Sequence, residues 1–172
     1  MSILVGLASL VISALSVVLV VGVARHFKIV DVPKKDGRRI HKKPIPLMGG
    51  IAIFVAITIV TTIVLLRSDA LVSGEVSVAH YVGLMVAMFI LVVGGGLDDK
   101  LNLKPKYQII FPILAALVVI GGGLGVEKLT NPFGGVFYLE AYTWDLFKLG
   151  AHTVAFSWPG DIIVFIWLMG MM

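Results

Sequence analysis

Cysteine is absent from the 172 residues, so neither a disulfide framework nor a cysteine-ligated metal site can form, although the redox compartment is not fixed by this alone. Charge is also scarce: 14% of residues are charged against 59% hydrophobic, and the mean hydropathy is +1.04. That balance excludes the even mix of a soluble domain and points to a multi-span membrane protein. Several familiar signatures are missing too. The glycines at 94–96 and 121–125 complete neither a G-x-G-x-x-G fingerprint nor a Walker loop, and they lie in or beside apolar runs, where glycine more often permits close helix packing. There is no Ser-His-Asp order, no H-E-x-x-H, no internal repeat and no low-complexity tract.

What is present is a series of long apolar runs. A bilayer core needs about 20 apolar residues at 1.5 Å each, and Ile3–Ala24, Leu47–Leu66, Tyr81–Leu97 and Ile109–Val126 come close. The first run is too long for a signal-peptide core and has no basic residue before it, so it reads as a retained span. A fifth run begins near Asp161 and reaches Met172 in about 12 residues, short of a crossing. The expectation is therefore an all-α, polytopic helical bundle of about five spans with the last one cut short, a single integral membrane domain over 1–172 that forms the N-terminal part of a longer protein. Between Glu127 and Pro159 the chain is rich in glycine, aromatics and turn residues. Asn131-Pro132 and Gly134-Gly135 flank the β-prone Val136-Phe137-Tyr138, which predicts an external loop with a small hairpin. Tyr142, Trp144 and Trp158 in it suit the headgroup level.

Cations set the expected orientation, because Lys and Arg near span ends stay on the cytoplasmic side. The first loop carries Arg25, Lys28, Lys34, Lys35, Arg38, Arg39, Lys42 and Lys43, and the third carries Lys100, Lys104 and Lys106. Only Arg67, Lys128 and Lys148 lie in the other two. The bias predicts an N-terminus outside and the first and third loops in the cytoplasm. The net charge of +4 thus reports topology and lipid contact rather than nucleic-acid binding.

Those two loops hold the chemistry. The first runs from Asp31 to Gly50, and its dense Arg, Lys and His donors are what a phosphate or pyrophosphate site needs. Pro44 and Pro46 stiffen the approach to the next span, and Gly49-Gly50 lets backbone come close at its start. Charge alone favours a plainer reading, a positive-inside loop gripping anionic lipids, and His41 by itself reads as a solvated loop residue. The third loop runs from Gly94 to Tyr107 and contains Asp98 and Asp99 at the end of a nearly uncharged run. Acids at membrane depth cost several kcal/mol unless partners satisfy them, so the default reading is a functional site facing water or a cation. The pair could deprotonate a phosphate, help hold a hard cation such as Mg²⁺, orient a lysine or cap a helix in solvent, and an ion or proton relay also fits.

Taken together, Asp31-x-Pro33 … Arg39-x-His41-x-x-Pro44-x-Pro46-x-x-Gly49-Gly50 and Gly96-Leu97-Asp98-Asp99 with Leu103-x-x-Lys106 resemble the polyprenyl-phosphate N-acetylhexosamine-1-phosphate transferases, also called glycosyltransferase family 4. The resemblance covers most of the chain. It implies a bacterial inner-membrane enzyme in which a polyprenyl phosphate attacks the β-phosphate of a UDP-sugar with Mg²⁺ bound, or Mn²⁺ in its place, releasing UMP. Under it Asp98 and Asp99 are the catalytic pair, near the metal and the lipid phosphate, while Arg39, His41, Lys42 and Lys106 bind phosphate or line the cytoplasmic cleft. The implied partners are the lipid phosphate, the UDP-sugar and the membrane, with no nucleic acid, and a homodimer is left open. The Pro-x-Pro form, Pro44-Ile45-Pro46, favours the N-acetylglucosamine-1-phosphate branch over the phospho-N-acetylmuramoyl-pentapeptide branch, which usually carries Thr-Pro-Thr there.

Two departures accompany the resemblance. Gln108 stands where many relatives have a basic residue, and the Asn-x-x-Asp-Gly segment expected after the fifth span, which supplies a principal Mg²⁺ ligand, is absent along with a later His-rich loop. The activity is therefore expected of a longer parent. Two readings from other classes stand beside it, an ion-coupled transporter using Asp98 and Asp99 as a relay and a non-catalytic membrane subunit. The first needs acids or broken helices near the middle of the bilayer, and the middles of these runs carry no charge.

Overall fold

The computed structural model describes residues 2–27, 29–31, 45–67, 76–139, 142–149 and 152–172. Helix α1 (Ser2–His26) is followed by a two-residue strand, β1 (Val30–Asp31), which pairs antiparallel with β2 (Ile45–Pro46). Leu47 N donates to Ile29 O at 3.2 Å, so the two flanks of the first loop are tied together. Helix α2 (Gly49–Arg67) then leads to α3 (Val78–Leu101), a short α4 (Pro105–Gln108) and α5 (Ile110–Gly121). Strands β3 (Lys128–Thr130) and β4 (Val136–Tyr138) form one hairpin and β5 (Tyr142–Leu149) and β6 (His152–Trp158) another, after which α6 (Gly160–Met171) closes the described chain.

Three of these helices, α1, α2 and α3, are long and apolar enough to cross a membrane. Their large side chains face outward: Leu4 is 73% and Leu19 69% exposed, a surface that lipid tolerates and water does not. The expected helical, multi-pass architecture holds. The fourth run differs, because α5 stops at Gly121 rather than continuing to Val126. Gly123 adopts φ +88°, its N–H bonds to Ile120 O at 2.8 Å, and this left-handed residue ends the helix. Pro112 is accommodated because it lies in the first turn of α5, where its missing N–H would have no intrahelical partner.

The chain divides into two compact units, Met1–Leu71 with Val92–Gln108, and Val72–Leu91 with Ile109–Met172, so α3 contributes to both. In the first unit α1 and α2 pack along each other, and their buried positions are small: Ser16 and Ala24 on α1, Ala52 and Ala56 on α2. Small residues let helix backbones approach where lipid removes any hydrophobic drive for association. In the second unit Gly83 on α3 meets Gly122, the residue that follows α5. A Cβ on Gly83 would lie 3.0 Å from Gly122 Cα, and one on Gly122 would lie 3.2 Å from Gly83 Cα.

The second unit also holds both hairpins. The β3–β4 turn uses Gly134 and Gly135 at φ +110° and +88°, and Asn131 Oδ1 accepts a bond from Phe133 N at 3.0 Å, as the Asn-Pro and Gly-Gly pairs predict. Strands β5 and β6 are longer than the sequence suggested. Their register sets Tyr142 opposite Trp158 and Trp144 opposite Phe156. Ring stacking runs from Tyr142 to Trp144 at 6.3 Å and on to Phe156 at 6.2 Å. Gly160, at the start of α6, lies so close to the segment before β3 that a Cβ there would lie 2.6 Å from Val126 O, and the buried Asp161 accepts the Ser157 N–H at 2.6 Å.

Because the partner of Gly83 is backbone and cannot swing away, Gly83→Val should cost about 1–3 kcal/mol and lower the melting temperature in detergent. Gly95→Ala, at a helical position with open space around it, should leave that temperature unchanged or raise it slightly. Equal melting of the two variants would refute the close glycine crossing.

Candidate functional site

Asp98 and Asp99 lie in the last turn of α3, which continues past the expected span end at Leu97 into the expected third loop. Gly94, Gly95 and Gly96 are helical, and the helix runs to Leu101. It ends at Asn102, whose φ of +48° is a left-handed conformation that asparagine accepts more readily than most residues. Asn102 N bonds to Asp98 O at 2.8 Å. Two carboxylates thus stand at the negative end of a helix dipole, an arrangement worth about 0.3–1 kcal/mol per charge in the unfavourable direction. Donors are needed to hold them there.

Asp98 is met by two. Its Oδ1 accepts the Leu103 N–H at 3.0 Å and the Gln108 Nε2–H at 2.7 Å, both neutral groups. Asp99 is met from elsewhere in the sequence: its Oδ2 accepts the Met48 N–H at 2.9 Å, across 51 positions. Met48 immediately precedes α2, and its carbonyl accepts the Ile51 N–H at 3.1 Å, so it occupies the capping position of that helix. The positive end of α2 therefore faces the carboxylate that the negative end of α3 disfavours. Met48 has φ +70°, a strained value for a side chain of this size, and its Cε packs 3.6 Å from the Cβ position of Gly96.

This contact joins the end of the first motif to the second. The other first-loop residues singled out from the sequence, Arg39, His41 and Lys42, lie outside the described residues. Lys106 is on α4, exposed, with its Nζ 5.0 Å from the centre of the Tyr107 ring. Gly49 and Gly50 have helical backbone, and a Cβ on either would meet nothing within 4 Å, so the close approach expected there is not to a described neighbour. The residue with special backbone geometry is Met48, one position earlier. No pattern in the sequence marks a methionine for positive φ. Gln108, by contrast, stood out as a polar residue in a position where a cation was expected.

The donor set bears on a divalent cation as follows. Among the described residues no group of three or more His, Cys, Asp or Glu side chains converges. Asp98 Oδ2 and Asp99 Oδ1 remain uncommitted to the described hydrogen bonds. Mg²⁺ commonly keeps several waters and takes only one or two protein carboxylates plus substrate phosphates, and two acids with one available oxygen each fit that share.

A polytopic helical membrane protein with a carboxylate pair at one span end, held by the start of another span, is the class that fold and site define. Comparison with known proteins narrows it. Over 125 residues the chain is 28% identical to a Bacillus subtilis protein named probable undecaprenyl-phosphate N-acetylglucosaminyl 1-phosphate transferase, covering 72% of this chain and 32% of that one. Over 135 residues it is 32% identical to decaprenyl-phosphate N-acetylglucosaminephosphotransferase of Mycolicibacterium smegmatis, covering 77% and 32%. The chain thus spans about a third of the length of these curated relatives. No family model matches, and no solved structure matches. The chain is a relative of the polyprenyl-phosphate N-acetylglucosamine-phosphotransferases, in agreement with its two motifs.

Removing the acceptor at Asp99 should leave the Met48 N–H without its partner at a half-buried point. Asp99→Ala is expected to cost about 1–3 kcal/mol, and Asp99→Asn, which keeps an acceptor oxygen, clearly less. Thermal unfolding of the purified protein in detergent reads the difference, and identical curves for the two would show that the contact contributes no stability.

Proposed function

We propose that the protein to which these residues belong transfers N-acetylglucosamine 1-phosphate from UDP-N-acetylglucosamine to a polyprenyl phosphate in the bacterial inner membrane. An oxygen of the lipid phosphate attacks the β-phosphorus of the nucleotide sugar. A bond to that phosphorus forms, the bond to the oxygen bridging the α and β phosphorus atoms breaks, and UMP departs with that oxygen. The names of the relatives support this substrate pair. The observation that carries the reading is the 2.9 Å bond from Met48 N to Asp99 Oδ2, which joins the end of the first motif to the acidic pair.

Asp98 and Asp99 would hold Mg²⁺ through their uncommitted oxygens, and the ion supplies charge neutralisation as the phosphates approach. Asp98, with Oδ1 fixed by two donors, presents Oδ2 as a base for the lipid phosphate or as a metal contact. Lys106 would supply a point charge for phosphate, and the resemblance carries over Arg39, His41 and Lys42, outside the described residues, as further donors. Positive charge beside these span ends supports placing them in the cytoplasm with the N-terminus outside.

Membranes carrying the whole protein should release UMP from UDP-N-acetylglucosamine only when undecaprenyl phosphate and Mg²⁺ are both supplied. Asp98→Asn should lower that release about a hundredfold or more at unchanged protein level, the scale of a lost general base or electrostatic contact. Turnover of other UDP-sugars instead would move the donor assignment. Absence of turnover with any UDP-sugar from folded protein would overturn the transferase reading.

A further inference from the structure

The hydrogen bonds around Asp98 give Gln108 a role that neither motif contains. Its amide nitrogen lies 2.7 Å from Asp98 Oδ1 and 3.1 Å from Leu103 O. Both neighbours are acceptors only, so the NH₂ end of the amide has to face them, and its two hydrogens are shared between them. Leu103 N reaches the same Oδ1 at 3.0 Å. One carboxylate oxygen is thereby fixed from two directions, while the other is uncommitted among the described residues. The turn that delivers Gln108 is itself organised by Asp98, through Asn102 N to Asp98 O and through the left-handed Asn102.

We infer that Gln108 is a positioning residue, which holds the Asp98 carboxylate in one rotamer and turns Oδ2 toward the reacting phosphates. The inference rests on the transferase reading for what Oδ2 does, but not for the hydrogen bond itself. A lysine or arginine here would donate to Asp98 equally well and would also neutralise it. The amide supplies the donor without the charge. Gln108 does not touch the reacting atoms. Its effect passes through Asp98, and side chains free to rotate lose that effect even when they are the right size.

Two measurements on the whole protein test this. The first is a double-mutant cycle of thermal stability with Gln108→Leu and Asp98→Ala, which needs no activity. A coupling of the two changes is expected, because each removes one side of a single bond, and strict additivity would overturn the proposal. The second is steady-state turnover of UDP-N-acetylglucosamine with undecaprenyl phosphate, normalised to folded protein. Gln108→Leu should lower kcat about tenfold and leave KM for both substrates within about twofold, while Gln108→Lys, which restores a donor but adds a charge, should recover kcat only in part. A merely structural role would reduce the folded fraction and not kcat per folded molecule. Normal kcat in Gln108→Leu from an active wild type refutes the positioning role. An inactive wild type refutes the transferase reading, and the positioning role with it, while the stability cycle still decides whether the pair is joined.

Discussion

Two negative charges at the negative end of a helix form the constraint around which the first unit is arranged. Asp98 and Asp99 oppose the dipole of α3, and each is held by donors that the chain brings from outside that helix. For Asp98 these come from the turn and short helix that follow. For Asp99 the donor is the backbone at the start of α2, and the chain reaches it by adopting positive φ at Met48. Strain at Met48, a left-handed Asn102 and a glutamine folded back onto Asp98 all serve the same pair. Local conflicts of this kind concentrate where function demands them.

The site was partly legible in the sequence. An acidic pair ending an apolar run stands out because the alternative, uncharged helix end would cost nothing, and the ordered prolines and glycines of the first loop mark a shaped approach to a span. What could not be read was the division of labour between the acids. Neighbouring positions on a helix point about 100° apart, so Asp98 and Asp99 find different partners despite their adjacency. Which partners they find depends on contacts across 51 positions for one and 10 for the other, and no local pattern encodes those.

The fold followed the same rule. Spans α1 and α2 were legible within a few residues, because an apolar run long enough for a bilayer has few other structures open to it. Span α3 runs beyond the expected end at Leu97 because apolar character stops there while the helix goes on to the turn at Asn102, whose N–H bonds to Asp98 O. The end of α5 was misplaced for the opposite reason: apolar character continues past Gly121, while the backbone turns at Gly123. Hairpin β5–β6 alternates aromatic and polar residues over Tyr142–Asp145, a period-two signal that the surrounding turn residues obscured.

A third acid shows why position on the helix matters more than burial. Asp161 is 5% exposed, more deeply buried than Asp98 or Asp99, and would be the first candidate if burial alone selected functional carboxylates. It stands in the first turn of α6, where the dipole favours a negative charge, and it accepts the Ser157 N–H that ends the β5–β6 hairpin. Its carboxylate thus seats a helix against a strand. Asp98 and Asp99 receive the reverse treatment from their own helix, and the chain supplies donors to offset it. An acid placed where its helix favours it has a sufficient structural reason to be there. An acid pair placed against its helix has no such local reason, and donors from outside α3 hold it there.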